Sequence, residues 1–345
     1  IDLIAEDEDG NADITHNINI PGEGLATKQT QKIKGLSVIA VSNQKIITTT
    51  IAVAGAGIAG VTGGNTTNVL DAVTEAYIAD GVNINQNNGS ASSEQMVIVE
   101  AFSNALMVMT EGTIGGAGIA GVSGAVNVGV ISNTTRAHAG GNINAKRDIR
   151  VIAWSEEDMH IITANGSGAI IAGVGAAAAV GVVDGQTLSY VHKGADLRAG
   201  RDIIILAYND CMVNIDTISG AIGGAAGVGG GVTVGVITHT TRAYVENAAS
   251  LAAGAKLYAA RTIDIRAESR GDIIGIAVGG AGSGAVGVAG AVVVNVVNTT
   301  TQAYIGSYTR VNQVIYSGIE NQTVRVVAID KVTVLGIGGS PSYAG

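Results

Sequence analysis

The chain has 345 residues and a formal net charge of −9, from 28 acidic and 19 basic side chains. With no basic stripe along it, a nucleic-acid partner is excluded. Hydrophobic residues make up 47 % of the chain but aromatics only 3 %. The apolar content is therefore Ile, Val and Ala, which suits stacked strands and excludes disorder. Glycine at 51 residues against 2 prolines rules out collagen and proline-rich linkers, and the single Cys211 rules out an internal disulfide.

Ile1 to Ala5 alternates, with Ile1, Leu3 and Ala5 on one side. The acidic stretch 6–13 follows, EDEDGNAD, in which Asp7, Asp9, Asn11 and Asp13 surround Gly10. Oxygen ligands at alternate positions are the pattern of a calcium loop, but no closing bidentate Glu follows, so a solvated acidic turn is the expectation. Pro21-Gly22 marks a turn within an irregular first repeat, residues 1–39.

From there a block of constant length recurs five times. It runs from Ala40 to Tyr77, Ala101 to His138, Ala153 to Tyr190, Ala207 to Tyr244 and Ala267 to Tyr304, an interval of 37 residues each time. Every copy holds a Gly-Val pair at one offset (Gly60-Val61, Gly121-Val122, Gly173-Val174, Gly227-Val228, Gly287-Val288) and a threonine three residues before the closing ring. Connectors of varying length bring the full repeat to 52–61 residues. A fixed period over five copies defines a repeat protein. The repeats run about 40–100, 101–152, 153–206, 207–266 and 267–327, and 328–345 starts the next. The chain starts and stops within a repeat, as a segment of a longer polypeptide would.

Before each block an inward triplet alternates: Leu36-Val38-Ala40, Val97-Val99-Ala101, Ile149-Val151-Ala153, Ile203-Ile205-Ala207, Ile263-Ile265-Ala267 and Val324-Val326-Ala328. Period two means strands with one buried face, stacked as aliphatic ladders. Within the blocks the alternation is unusual. Val126, Val128 and Val130 face one way, and Ala125, Asn127 and Gly129 the other, so one side is branched and the other smooth. Glycine at this density disfavours a helix, and the smooth side is expected to lie against another strand layer or another molecule. Uncharged runs such as Ala169 to Val183 raise a membrane-spanning reading, which their glycines and polar residues weigh against. The fold expected is an all-β right-handed parallel β-helix, a single β-solenoid over residues 1–345. Dividing each repeat into three turns gives about 17–18 coils and a length of roughly 80–90 Å.

Chemistry-bearing residues are few. Asp148 and Asp202, in Arg-Asp turns, recur one repeat apart. On three coils per repeat they stand about 14 Å from each other, too far to act as a glycosidase pair. Thr74, Thr135, Thr187, Thr241 and Thr301 form a series that, on the same spacing, aligns only about every third coil, too sparse for an ice-binding array. His16, His138, His160, His192 and His239 share no ligand spacing, so no metal site is expected. Asn65, Asn133, Asn298 and Asn321 head glycosylation-type triplets, read as polar turns. The residue after each opening alanine faces outward, and Phe102, Trp154 and Tyr208 there form a candidate contact stripe. The alternative is that a loop folds over it. No catalytic residue, cofactor or metal is expected.

The connectors, with the form A-x-[IV]-…-A-G-x-[ILV]-…-D-I-x-[IV]-x-A, resemble repeats of filamentous-haemagglutinin-type exoproteins. The phase GAGIAGVSGAVNVGVISNTTRA resembles repeats of large leukotoxin-like and adhesin-like exoproteins of Gram-negative bacteria. The resemblance covers the chain from about Leu36 onward; residues 6–35 depart from it. It implies a parallel β-helix exported through an outer-membrane translocator, extracellular or at the bacterial cell surface. The role expected is structural, not enzymatic: a stalk that mediates attachment to a host cell or other surface. The alternative is a self-assembling extracellular filament subunit associating end to end or laterally, and a β-helical polysaccharide-processing enzyme is a third reading.

Overall fold

The computed structural model describes residues 5–6, 12–19, 27–32, 34–313 and 322–345, with side chains from residue 34 onward. The acidic stretch 7–11 and the Pro21-Gly22 turn lie outside the described residues. Three short strands open the chain, β1 (Ala5–Glu6), β2 (Ala12–Asn19) and β3 (Thr27–Lys32), paired antiparallel. Of the expected first strand only Ala5 is described, and it pairs with β2 rather than with the parallel stack.

The rest is a right-handed parallel β-helix of three sheets. The first sheet stacks β4 (Lys34–Ala56), β7 (Gln95–Ala117), β10 (Ile149–Ala169), β13 (Asp202–Gly223), β16 (Thr262–Ser283) and β19 (Thr323–Gly339). A short β20 (Ser342–Ala344) continues along β16. The second sheet stacks β5 (Ala59–Ile78), β8 (Ala120–Ala139), β11 (Ala172–Val191), β14 (Ala226–Val245) and β17 (Val286–Ile305). The third is narrow: β6 (Asn83–Ile84), β9 (Asn142–Ala145), β12 (Asp196–Ala199), β15 (Lys256–Ala259) and β18 (Arg310–Val311).

The register corrects the expected coil count. Ile149 pairs with Val97 on one side and Ile203 on the other, one full repeat away in each direction. Each repeat of 52–61 residues is thus one wide coil, not three narrow ones. Six first-sheet strands at ~4.8 Å spacing rise about 24 Å, while a 23-residue strand runs about 75 Å. The molecule is a broad fin, wider than it is tall. Its two long sheets face each other, joined at the far edge by two-residue corners such as Gly118-Ile119, and the third sheet closes the near edge.

The interior grades in size from the near edge to the far one. At the broad edge the expected ladders are present: Ile149, Val151, Ile203, Ile205, Ile263 and Ile265 are all fully buried and in register. In the middle the first sheet supplies Met107, Met159, Ile215 and Ile273, and the second sheet yields space with glycine. A methyl group on Gly181 would sit 2.8 Å from Ile215 Cδ1 and 2.9 Å from Met159 Sδ. At the far edge the two backbones nearly touch: a methyl on Gly173 would lie 2.3 Å from the Ile222 carbonyl, and one on Gly229 2.0 Å from that of Gly280. The smooth side of the second sheet therefore lies against the first sheet, and the branched valine side faces out. The run Ala169 to Val183 is strand, corner and strand at this edge. Among the described residues no helix is long and apolar enough to cross a membrane.

Candidate functional site

The outer face of the second sheet carries continuous rows, because parallel in-register stacking puts equivalent residues of every repeat side by side. Near the far edge, Val61, Val122, Val174, Val228 and Val288 form one row. Next comes a row of small residues: Gly63, Gly124, Ala176, Gly230 and Gly290. Three further rows, mostly valine, end at Val69, Val130, Val182, Val236 and Val296. No charged side chain interrupts this area. Val61 is 74 % exposed, Val288 52 % and Val126 43 %, so the branched face stands open to solvent.

Nearer the third sheet the same face turns polar and then aromatic. Tyr77, His138, Tyr190, Tyr244 and Tyr304, the closing residues of the five blocks, stack as a column with ring centroids 4.8–5.1 Å apart. His192 joins it, its Nε2 2.8 Å from His138 Nδ1. Glu75 lies 3.4 Å from His138, and Asp80 and Glu246 each 3.6 Å from His192. Burial, then the neighbouring His192 charge, hold His138 below the usual histidine range. Burial pushes the Tyr244 hydroxyl up to about 12, with the flanking Tyr190 and Tyr304 adding to it. The constant position of these rings marks the repeat in the sequence; that they touch follows only from one coil per repeat.

The anticipated contact stripe is in register, with Trp154 beside Phe102 and Tyr208 and its ring 3.9 Å from that of Tyr208. It is not open to solvent. Phe102, Trp154 and Tyr208 are 2, 3 and 6 % exposed and pack with Ile152 and Leu206. Trp154 Nε1 donates to Glu156, 2.9 Å away.

Asp148 and Asp202 stand one coil apart rather than three. Arg201 donates to both oxygens of buried Asp148, at 2.8 and 2.6 Å, and lies 3.2 Å from Asp202. Arg261 engages Asp202 in turn, and Arg325 engages Asp264. This is a ladder of bidentate ion pairs along the first sheet, so both carboxylates are held by arginine. Threonines 74, 135, 187, 241 and 301 do align on every coil, but inside: Thr135, Thr187 and Thr241 have no exposed surface. Asn65, Asn133 and Asn298 sit in strands rather than turns, Asn133 only 1 % exposed; Asn321 lies outside the described residues.

Inside, sequence reading missed a polar network between the two long sheets. Glu157 is fully buried and accepts from Asn133 Nδ2 at 2.6 Å, from Asn209 Nδ2 at 2.5 Å and from the Ser155 hydroxyl. Ser103 donates to Asn133 Oδ1 at 3.0 Å. Burial pushes the Glu157 carboxyl up to about 7, against these hydrogen bonds. His239, 2 % exposed, meets Thr187 Oγ1 at 3.1 Å, and burial pushes it down to about 3. Among the described residues no cluster of three or more His, Cys, Asp or Glu could hold a metal ion.

The fold places the chain among parallel β-helices. No family model, curated protein or solved structure matches it.

Proposed function

We propose that the chain is a structural, non-enzymatic part of an exoprotein of Gram-negative bacteria. It is secreted or displayed at the cell surface through an outer-membrane translocator, and it works as a rigid stalk that mediates attachment to a cell or surface. One observation carries this reading: five wide coils repeat the same rows in unbroken register, so one outward surface is presented many times over on a stiff support. The exoprotein-like connectors agree with it. Beads coated with the protein are expected to be retained on epithelial monolayers or abiotic surfaces above beads coated with a globular protein of similar charge. Retention no better than that control on every surface tried overturns the attachment role.

A self-assembling filament is the second reading. It is favoured by the open edges of the second sheet, where β5 and β17 are each paired on one side only among the described residues.

A further inference from the structure

The outward glycines near the far edge have no purpose within this chain's own fold. Glycine weakens a strand relative to alanine, and in a strand it commonly marks close backbone approach. Facing inward, Gly173, Gly227 and Gly229 are required, since a methyl group there would strike backbone at 2.0–2.4 Å. Facing outward, Gly230 and Gly290 would carry a methyl group with nothing within 4 Å of it, and none of these positions has a positive φ. The first sheet repeats the pattern on the opposite side of the fin. Gly116, Gly166 and Gly168 likewise meet open space. They lie in two neighbouring rows that also include Gly55, Gly220, Gly280 and Gly282, with Val53, Ile114 and Ile222 standing out of them at 70, 60 and 68 % exposed. The thin edge therefore has one valine-ridged face and one glycine-rich apolar face with a few projecting aliphatics, both without need of their glycines in an isolated chain.

We propose that this edge is an interface between copies of this chain, in which the valine-ridged face of one fin packs on the glycine-rich face of the next, whose projecting Ile114 and Ile222 enter the glycine row between the valines. The ridged rows from Val61 to Val69 span about 27 Å along the strands and five strands span about 19 Å, roughly 500 Å² per copy. Both partners together bury about 1,000 Å², the size at which an interface between proteins becomes specific, and each further fin adds another such contact. The two faces differ and lie on opposite sides, so the contact is heterologous and adds fins side by side without closing. A lipid surface fits less well. Inserted in hydrocarbon, the unpaired edges of β5 and β17 would leave backbone groups with neither water nor partner. The inference does not depend on attachment to a host surface, and its test reads assembly width alone.

Electron microscopy of the purified protein over a concentration series measures that width. The unmodified chain is expected to form assemblies several fins wide. Val126→Asp with Val232→Asp should spoil the ridged face, and Gly166→Glu the glycine-rich face, and each should leave single-fin width with the melting temperature retained. The milder pair Val126→Thr with Val232→Thr, isosteric on the same face, should narrow the assemblies if the aspartates unfold the chain. Mixing the ridged-face and glycine-face variants leaves one intact face of each kind, and should restore pairs two fins wide and no wider. Wide assemblies in either single-face variant, or no pairing in the mixture, overturns the proposal. So does an unmodified chain that stays one fin wide at every concentration; if it also floats with phosphatidylcholine vesicles, lipid is the occupant.

Discussion

Two buried titratable groups oppose each other in their response to pH. Glu157 has a folded pKa of about 7, above its ordinary 4.5. Its contribution to stability is therefore present below pH 4.5 and is lost as pH rises through 7, by up to about 3 kcal/mol. His239, pushed down to about 3 from 6.5, is the reverse: stability is present above pH 6.5 and is lost as pH falls toward 3. The two losses overlap and offset each other from about pH 4.5 to 6.5, so stability should be level there and fall on either side. Glu157→Gln should flatten the alkaline side of the melting-temperature profile, with a gain at pH 8 over the unmodified chain. The Asn209 amide can turn to offer its unbonded Oδ1 to the new NH2. His239→Gln should flatten the acid side instead. Melting curves from pH 4 to 9 test both; a Glu157→Gln profile parallel to that of the unmodified chain would show that the carboxyl is not desolvated.

Within a strand, adjacent residues have opposite tasks, and this makes the face assignment testable. Gly229 and Gly230 are neighbours in β14. Gly229→Ala drives a methyl to 2.0 Å from the Gly280 carbonyl and should lower stability by about 1–3 kcal/mol. Gly230→Ala meets nothing and should be neutral or raise stability by about 0.5 kcal/mol. Denaturant midpoints of the two variants should diverge, and equal effects would contradict the inward-outward assignment. At the broad edge, Ile205→Asp strands an unpaired charge between its ladder neighbours Val151 and Ile265, at a cost on the order of 3–5 kcal/mol. An unchanged melting temperature in that variant would place Ile205 on the surface.

As a whole the molecule leaves open backbone edges on both sides of its stack. β4 and β5 stand at one side, and β17 and β19 at the other, with partners on one flank only among the described residues. Equivalent strands at opposite ends are complementary, so a head-to-tail contact generates an open fibre. The protein should lengthen along the stacking axis as its concentration rises. Mean particle length by light scattering and microscopy measures this, and a length independent of concentration up to millimolar protein would refute it. This growth uses strand edges, so substitutions on the outer faces, which set width, should leave it intact. Trp154 and its ring neighbours, being covered, have no part in lateral contact here; Trp154→Ser should act on stability instead.

The sequence by itself determined the repeat, the strand class and the broad edge of the core. A five-fold period and the triplets from Val97-Val99 to Ile263-Ile265 leave stacked parallel strands as the arrangement of this edge, because period-two aliphatics must share a buried face. It also marked the aromatic column by position, though not as a contact. Three things were decided only by tertiary structure. The number of coils per repeat depends on which strands hydrogen-bond, and a 52–61-residue period is compatible with one wide coil or three narrow ones. That the smooth side of the glycine-rich strands packs was read from the sequence, but whether against a strand layer or another molecule was not, because the ordinary rule, large apolar residues inside, is reversed at the far edge. There the sheets converge until only Gly173 or Gly229 fits between them, and the valines are left outside. The covering of Phe102, Trp154 and Tyr208 was likewise invisible, since alternation says which way a side chain points and not what lies above it.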